Sequence, residues 1–109
     1  MKTLSLLSTF GLAGLLAAAP LSASAALDGA ALYKAKTCTA CHGKDAKSPI
    51  MPNYPKIAGQ NKAYIIQQMK DIKSGARNNG NTAAMKGIMH LVSDEEIDAI
   101  ADYVSRLKP

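Results

Sequence analysis

"CTACHG", residues 38–43, sets two cysteines one helical turn apart and a histidine directly after the second. Four chemistries use closely spaced cysteines, and the rest of the chain separates them. A disulfide across so short a loop would contribute only about 2 kcal/mol by loop closure. A thioredoxin-like redox pair needs a strand and a βαβ setting, and no segment alternates as a strand does. A zinc site lacks a fourth protein ligand, because the one spare histidine is His90 and there is no second cysteine pair. The remaining reading is C-x-x-C-H, the attachment signature of c-type haem. Cys38 and Cys41 add to two vinyl groups on one side of the porphyrin, and His42 is carried beneath the ring so that an imidazole nitrogen reaches the iron.

Working outward from the motif, the first quarter of the chain reads as a leader. Lys2 precedes the apolar run "LSLLSTFGLAGLLAAA" from Leu4 to Ala19, Pro20 breaks it, and "SASA" ends in Ala23-Ser24-Ala25. This is the anatomy of a cleavable secretory signal over residues 1–25, with cleavage after Ala25 or Ala26. The run is shorter than the roughly 20 residues that span a bilayer. Export to a bacterial periplasm is therefore expected, with no stable membrane insertion after cleavage. One domain over residues 26–109 remains. Losing 25 of the 109 residues leaves 84, and losing Lys2 takes the formal charge from +5 to +4.

So small a chain seldom stabilises itself by side-chain burial alone. After cleavage it has four Tyr, no Trp and no Phe, since the single Phe is Phe10. A macrocycle tied to the chain supplies the apolar centre that Tyr33, Tyr54, Tyr64 and Tyr103 cannot. Without haem the polypeptide is expected to be largely unfolded.

The expected architecture is all-α, three to five helices around one covalently attached haem. Asp28 caps a short helix running through Lys36. From Gly43 to Gln60, Pro49, Pro52 and Pro55 preclude a regular element and predict a wrapped loop. Asn61 caps a helix with Ile65, Met69 and Ile72 on one face and Gly75 at its end. "RNNGNT", residues 77–82, is turn-rich. Ser93 and Glu96 form an S-x-x-E capping box that opens a last helix, whose Ile97, Ile100, Ala101, Val104 and Leu107 make one apolar stripe.

The layout resembles class I cytochrome c. "YPKIAGQNKAYIIQQMKDIKSGARNN", followed by "MKGIMHLVSDEEIDAIADYVSRL", is similar to the small bacterial group typified by cytochromes c-four and c-five. The resemblance implies haem-linked cysteines at Cys38 and Cys41 and a proximal ligand at His42. It also implies a carbonyl at Pro55 that accepts from the other nitrogen of His42 and fixes its tautomer. The family's crossing of first and last helices falls on Gly29, Tyr33 and Tyr103. Members that bind a haem propionate through Trp have no counterpart in this chain, which leaves Tyr54, Tyr64 or Arg77 for that task.

The sixth ligand decides between electron transfer and small-molecule chemistry, because a strong protein ligand closes the iron. The candidates are Met51, Met69, Met85, Met89 and His90. Met51 lies in the loop on the proximal side, and Met69 completes a core stripe. Met85, Ile88, Met89 and Val92 stand at i, i+3, i+4 and i+7, which turns His90 off their inward face. Met85 comes first on that face, where the flexible loop delivers the chain, and Met89 lies one turn deeper. The resemblance agrees, since the family's axial Met precedes the Ser-Asp-Glu-Glu cap by about the separation from Met85 to Ser93.

The expected function is a periplasmic, non-enzymatic, single-electron carrier with His42 and Met85 on the iron of one haem c. Two alternatives are a haem subunit of a larger dehydrogenase and an open-site haem enzyme or sensor with His90 as its distal residue. Expected partners are redox proteins that donate and accept electrons, and the protein itself is expected to be a monomer. Lys44, Lys47, Lys56, Lys62, Lys70, Lys73, Arg77 and Lys86 fall between the cysteine pair and the last helix, and they suit an acidic docking partner. Nucleic acid is not expected, because aromatic residues do not interleave with these charges.

Overall fold

Three of the helices begin where a side chain accepts from a free backbone amide. Asp28 accepts from the amide of Ala31, Asn61 from that of Ala63, and Ser93 from that of Glu96. At the last of these, Glu96 reaches back to the amide of Ser93, so both halves of the capping box are formed. The computed structural model describes residues 3, 11 and 26–109. The expected leader over residues 1–25 therefore lies, apart from residues 3 and 11, outside the described residues.

Among the described residues there are five helices and no strand: α1 Gly29–Ala35, α2 Cys38–His42, α3 Lys62–Ser74, α4 Thr82–Met89 and α5 Asp94–Arg106. The all-α expectation is met, with the number of helices at its upper end. None of these helices is long and apolar enough to cross a membrane.

α5 is the frame. Its stripe of Ile97, Ile100, Ala101 and Val104 is buried along one face, and α1 and α3 both pack on it. Burial of an Ile or Val side chain contributes roughly 1.5–3 kcal/mol, so this stripe is a large share of the available core energy. α1 approaches through Gly29. A Cβ there would collide with the backbone carbonyl of Ala99 and come within 2.8 Å of the Tyr103 Cβ. Tyr33 and Tyr103 meet beside the crossing, ring centroids 5.7 Å apart and planes tilted by 56°.

α2 follows α1 almost at once, because Thr37 takes a left-handed conformation, φ 62°, and turns the chain sharply between them. The Pro-rich loop that follows has no regular element, and it closes on a buried residue. Ala46 is fully buried, and its carbonyl accepts from the amides of Ile57 and Ala58 at 2.8 and 3.0 Å. The far end of the loop is tied to α5 by the Gly59 amide, which donates to the Val104 carbonyl at 2.9 Å. α3 then ends in a glycine cap, Gly75 at φ 88°, in the left-handed conformation that glycine adopts without steric cost.

Candidate functional site

α2 packs on α1, and α4 packs on α3, but the two do not pack on each other among the described residues. Both line one cavity of about 400 Å³, within the 300–1,000 Å³ usual for ligand sites. The cavity thus separates the helix that carries the C-x-x-C-H motif from the helix that carries Met85. Cys38, Cys41, His42, Pro55 and Met85 all stand on its wall.

His42 closes α2 and is buried, 8% exposed. Its Nδ1 lies 2.9 Å from the carbonyl oxygen of Pro55. A carbonyl can only accept, so Nδ1 carries a proton, and in the neutral imidazole Nε2 is the nitrogen left with a lone pair. Pro55 holds that position because the loop is closed at Ala46 on one side and at Gly59 on the other. The segment after His42 is held as well: the buried Tyr33 hydroxyl donates to the Gly43 carbonyl at 2.6 Å, and the Ile50 amide donates to the Cys41 carbonyl at 3.0 Å.

Cys38 and Cys41 are both free and half-buried. Burial pushes the Cys38 thiol up to about 11, so it is protonated at neutral pH. A redox-active C-x-x-C instead depresses a thiol to generate thiolate, so this pair is unlike a thioredoxin site. Among the described residues no three His, Cys, Asp or Glu side chains gather as a metal cluster.

The sixth-ligand candidates separate by position. Met69, Met85 and Met89 line the cavity, whereas Met51 and His90 do not. Met69 and Met89 are buried at 5% and 2%, in the core beneath the cavity. Met85 is half-buried on the first turns of α4, and His90 is the exposed cap of the same helix.

The aromatic and basic candidates for propionates separate too. Tyr54 and Arg77 reach the cavity, and Tyr64 is 52% exposed away from it. Asn53, Asn79 and Asn81 stand beside Tyr54 and Arg77 on the wall, and the sequence reading did not single them out. The only signal for Asn79 and Asn81 was the turn-rich "RNNGNT", and for Asn53 the Pro-rich loop around it, each of which marks a loop without saying what the loop faces.

The donor set fits a covalently bound haem. Two thiols and a fixed imidazole stand on one wall, a thioether stands on a separate helix, and Met69, Ile72, Met89 and Val92 give an apolar floor. A sequence profile of the family described as cytochrome c matches residues 26–108. Cytochrome c4 of Pseudomonas aeruginosa is 45% identical over 105 residues, covering 95% of this chain and 47% of that protein. Cytochrome c-553 of Nitratidesulfovibrio vulgaris is 37% identical over 86 residues, covering 79% of this chain and 82% of that one. The crystal structure of reduced recombinant cytochrome c4 from Pseudomonas stutzeri superposes with a TM-score of 0.65 at 30% identity, over 73% of this chain and 46% of that one. The chain spans about half the length of the cytochrome c4 relatives it matches.

Proposed function

The chain belongs to the cytochrome c family, and from that premise we propose that it is a periplasmic carrier of single electrons with one haem c, His42 and Met85 being the axial pair. The observation that carries the proposal is the single cavity shared by α2 and α4, with the Nε2 lone pair of His42 available on one wall and the Met85 thioether on the other. When bound, the haem supplies an iron that alternates between ferric and ferrous.

Each wall residue has a separate task. Cys38 and Cys41 tether the porphyrin edge. The Pro55 carbonyl keeps the proton on Nδ1 and orients the imidazole. The Met85 sulfur would hold the iron from the wall opposite His42, and a thioether there would favour the ferrous state. Met69, Ile72, Met89 and Val92 keep water from the ring. Asn53, Tyr54, Arg77, Asn79 and Asn81 form a polar wall with the donors that two propionate carboxylates need. Lys44, Lys47, Lys56 and Lys86 would steer acidic redox partners to the protein.

An open-site enzyme or sensor would need an acid–base group over the distal face. His90, the candidate for that role, is exposed and off the cavity wall. Adding carbon monoxide to the reduced protein at neutral pH separates the two readings. An unchanged spectrum supports the closed carrier, and conversion to a carbonyl spectrum overturns it.

A further inference from the structure

The turn between α4 and α5 is gripped from two sides by lysines of other elements. Lys36, just past the end of α1 and two residues before Cys38, donates through Nζ to the Leu91 carbonyl at 2.8 Å and lies 3.4 Å from a Glu96 carboxylate oxygen. Lys73, near the end of α3, donates to the Val92 carbonyl and lies 3.9 Å from an Asp94 carboxylate oxygen. Each ammonium thus joins a main-chain carbonyl just beyond α4 to an acid in the first turn of α5. Both lysine side chains are only partly exposed, 25% and 31%, so water screens these contacts less than at an open surface.

The placement is specific in two ways. Leu91 and Val92 lie between the His90 cap of α4 and the Ser93 cap of α5, outside both helices, so their carbonyls need donors from elsewhere in the fold. Among helices α4 packs on α3 alone, and its C-terminal end is otherwise held by the buried side chains of Met89 and Val92, so the two lysines add a polar hold on the main chain to that apolar one. The helix gripped in this way is the one that presents Met85 to the cavity.

We infer that Lys36 and Lys73 are positioning residues for the sixth iron ligand: a pair of cationic clamps that hold the α4–α5 turn and thereby keep Met85 on the iron. The inference rests on the reading of Met85 as that ligand. A charge-assisted hydrogen bond to a carbonyl favours the state in which that carbonyl is fixed. Losing the clamp releases the turn, and the released turn gains conformational entropy only when Met85 is off the iron. Lys36 also makes the attachment segment and the distal turn neighbours, so the two sides of the haem are held by one side chain.

The test replaces Lys36 and Lys73 by Leu, singly and together, and by Arg in parallel, in the haem-loaded protein. The readouts are the near-infrared sulfur-to-iron band of the ferric form and the apparent affinity for added cyanide. Cyanide binds only the fraction with Met85 dissociated, so its affinity rises in proportion to that fraction. Each Leu variant is expected to raise cyanide affinity at least about tenfold, equivalent to 1.4 kcal/mol, and to lose the band at a temperature below its own unfolding midpoint. Arg restores wild-type values, since it keeps both charge and donor. Lys62→Leu, which removes only an exposed ion pair with Asp102 at 3.4 Å, leaves cyanide affinity unchanged. Wild-type affinity and band in the Leu variants overturn the inference, as does a band that disappears only together with the fold. The ligand reading fails separately, if Met85→Ala retains the band. Should the double variant not fold, the two single variants decide the matter.

Discussion

Gly29 and Gly87 both lie in helices, and Gly→Ala is predicted to act in opposite directions at the two. At Gly29 the added Cβ would meet the Ala99 carbonyl oxygen, approach its carbon to 2.8 Å and approach the Tyr103 Cβ to 2.8 Å. Carbon atoms pack at about 3.5–4.0 Å, so α1 and α5 must part by on the order of 1 Å. The obstruction is backbone and cannot swing aside, and the separation also loosens the Tyr33–Tyr103 contact. Overpacking of this kind costs up to about 3 kcal/mol, offset by at most about 1 kcal/mol of improved helix propensity. The net loss is about 2 kcal/mol, or a fall of about 8–16 °C in melting midpoint for a domain of this size. At Gly87, in α4, a Cβ meets nothing within 4 Å, and φ is not positive. Only the propensity gain of about 0.5–1 kcal/mol applies there, and the midpoint rises by about 2–8 °C. Thermal unfolding of the haem-loaded variants, followed by helical circular dichroism, reads both. A Gly29→Ala midpoint equal to or above that of wild type would refute the close crossing.

Tyr33→Phe removes the hydroxyl donor to Gly43, whose carbonyl still accepts from the Ala46 amide at 3.2 Å. The cost is therefore about 1 kcal/mol rather than the larger penalty of an orphaned acceptor, and it appears as a lower urea midpoint with an unchanged slope. Glu96 is held below the usual carboxylate range, chiefly by the Ser93 amide that donates to it and further by Lys36. A depressed folded pKa contributes stability above the unfolded value, about 4.3, and loses it as pH falls through the folded value. Relative to wild type, Glu96→Gln is expected to flatten the loss of stability on acidification through that window while leaving the slope near neutrality alone. Identical pH profiles would remove Glu96 from the account. Lastly, electron transfer to an acidic partner should slow as salt rises from 0.01 to 0.15 M and the Debye length contracts from about 30 to 8 Å. Rates indifferent to salt would exclude steering by the lysines.

The parts of the fold decided within a few residues were legible before any coordinates. Asp28, Asn61 and Ser93 cap helices because a short oxygen-bearing side chain there meets an amide two or three residues on, and Gly75 ends α3 for an equally local reason. The 3.6-residue period also separated the exposed His90 from Met85 and Met89 on α4. Two left-handed residues were not foreseeable. Thr37 and Ala46 adopt φ near +60° although neither is glycine, and what holds Ala46 there is loop closure by Ile57 and Ala58, eleven and twelve residues away. The polar wall was hidden for a related reason. Asn53, Asn79 and Asn81 lie in loops, where no periodicity assigns a face, so nothing local distinguishes a cavity-lining Asn from a solvated one. Tyr54 lies in the same kind of segment and lines the cavity, whereas Tyr64 lies in α3 beside the buried stripe of Ile65, Met69 and Ile72 and is exposed.

The central claim is that a thioether from α4 completes the coordination opposed to His42, and the near-infrared absorption of the ferric protein tests it most directly. The account predicts that the weak sulfur-to-iron band is present in the wild type and survives in Met89→Leu. It predicts that the band is lost in Met85→Ala, where the reduced protein also gains the ability to bind carbon monoxide. A Met85→Ala protein that keeps the band and still excludes carbon monoxide would contradict the account.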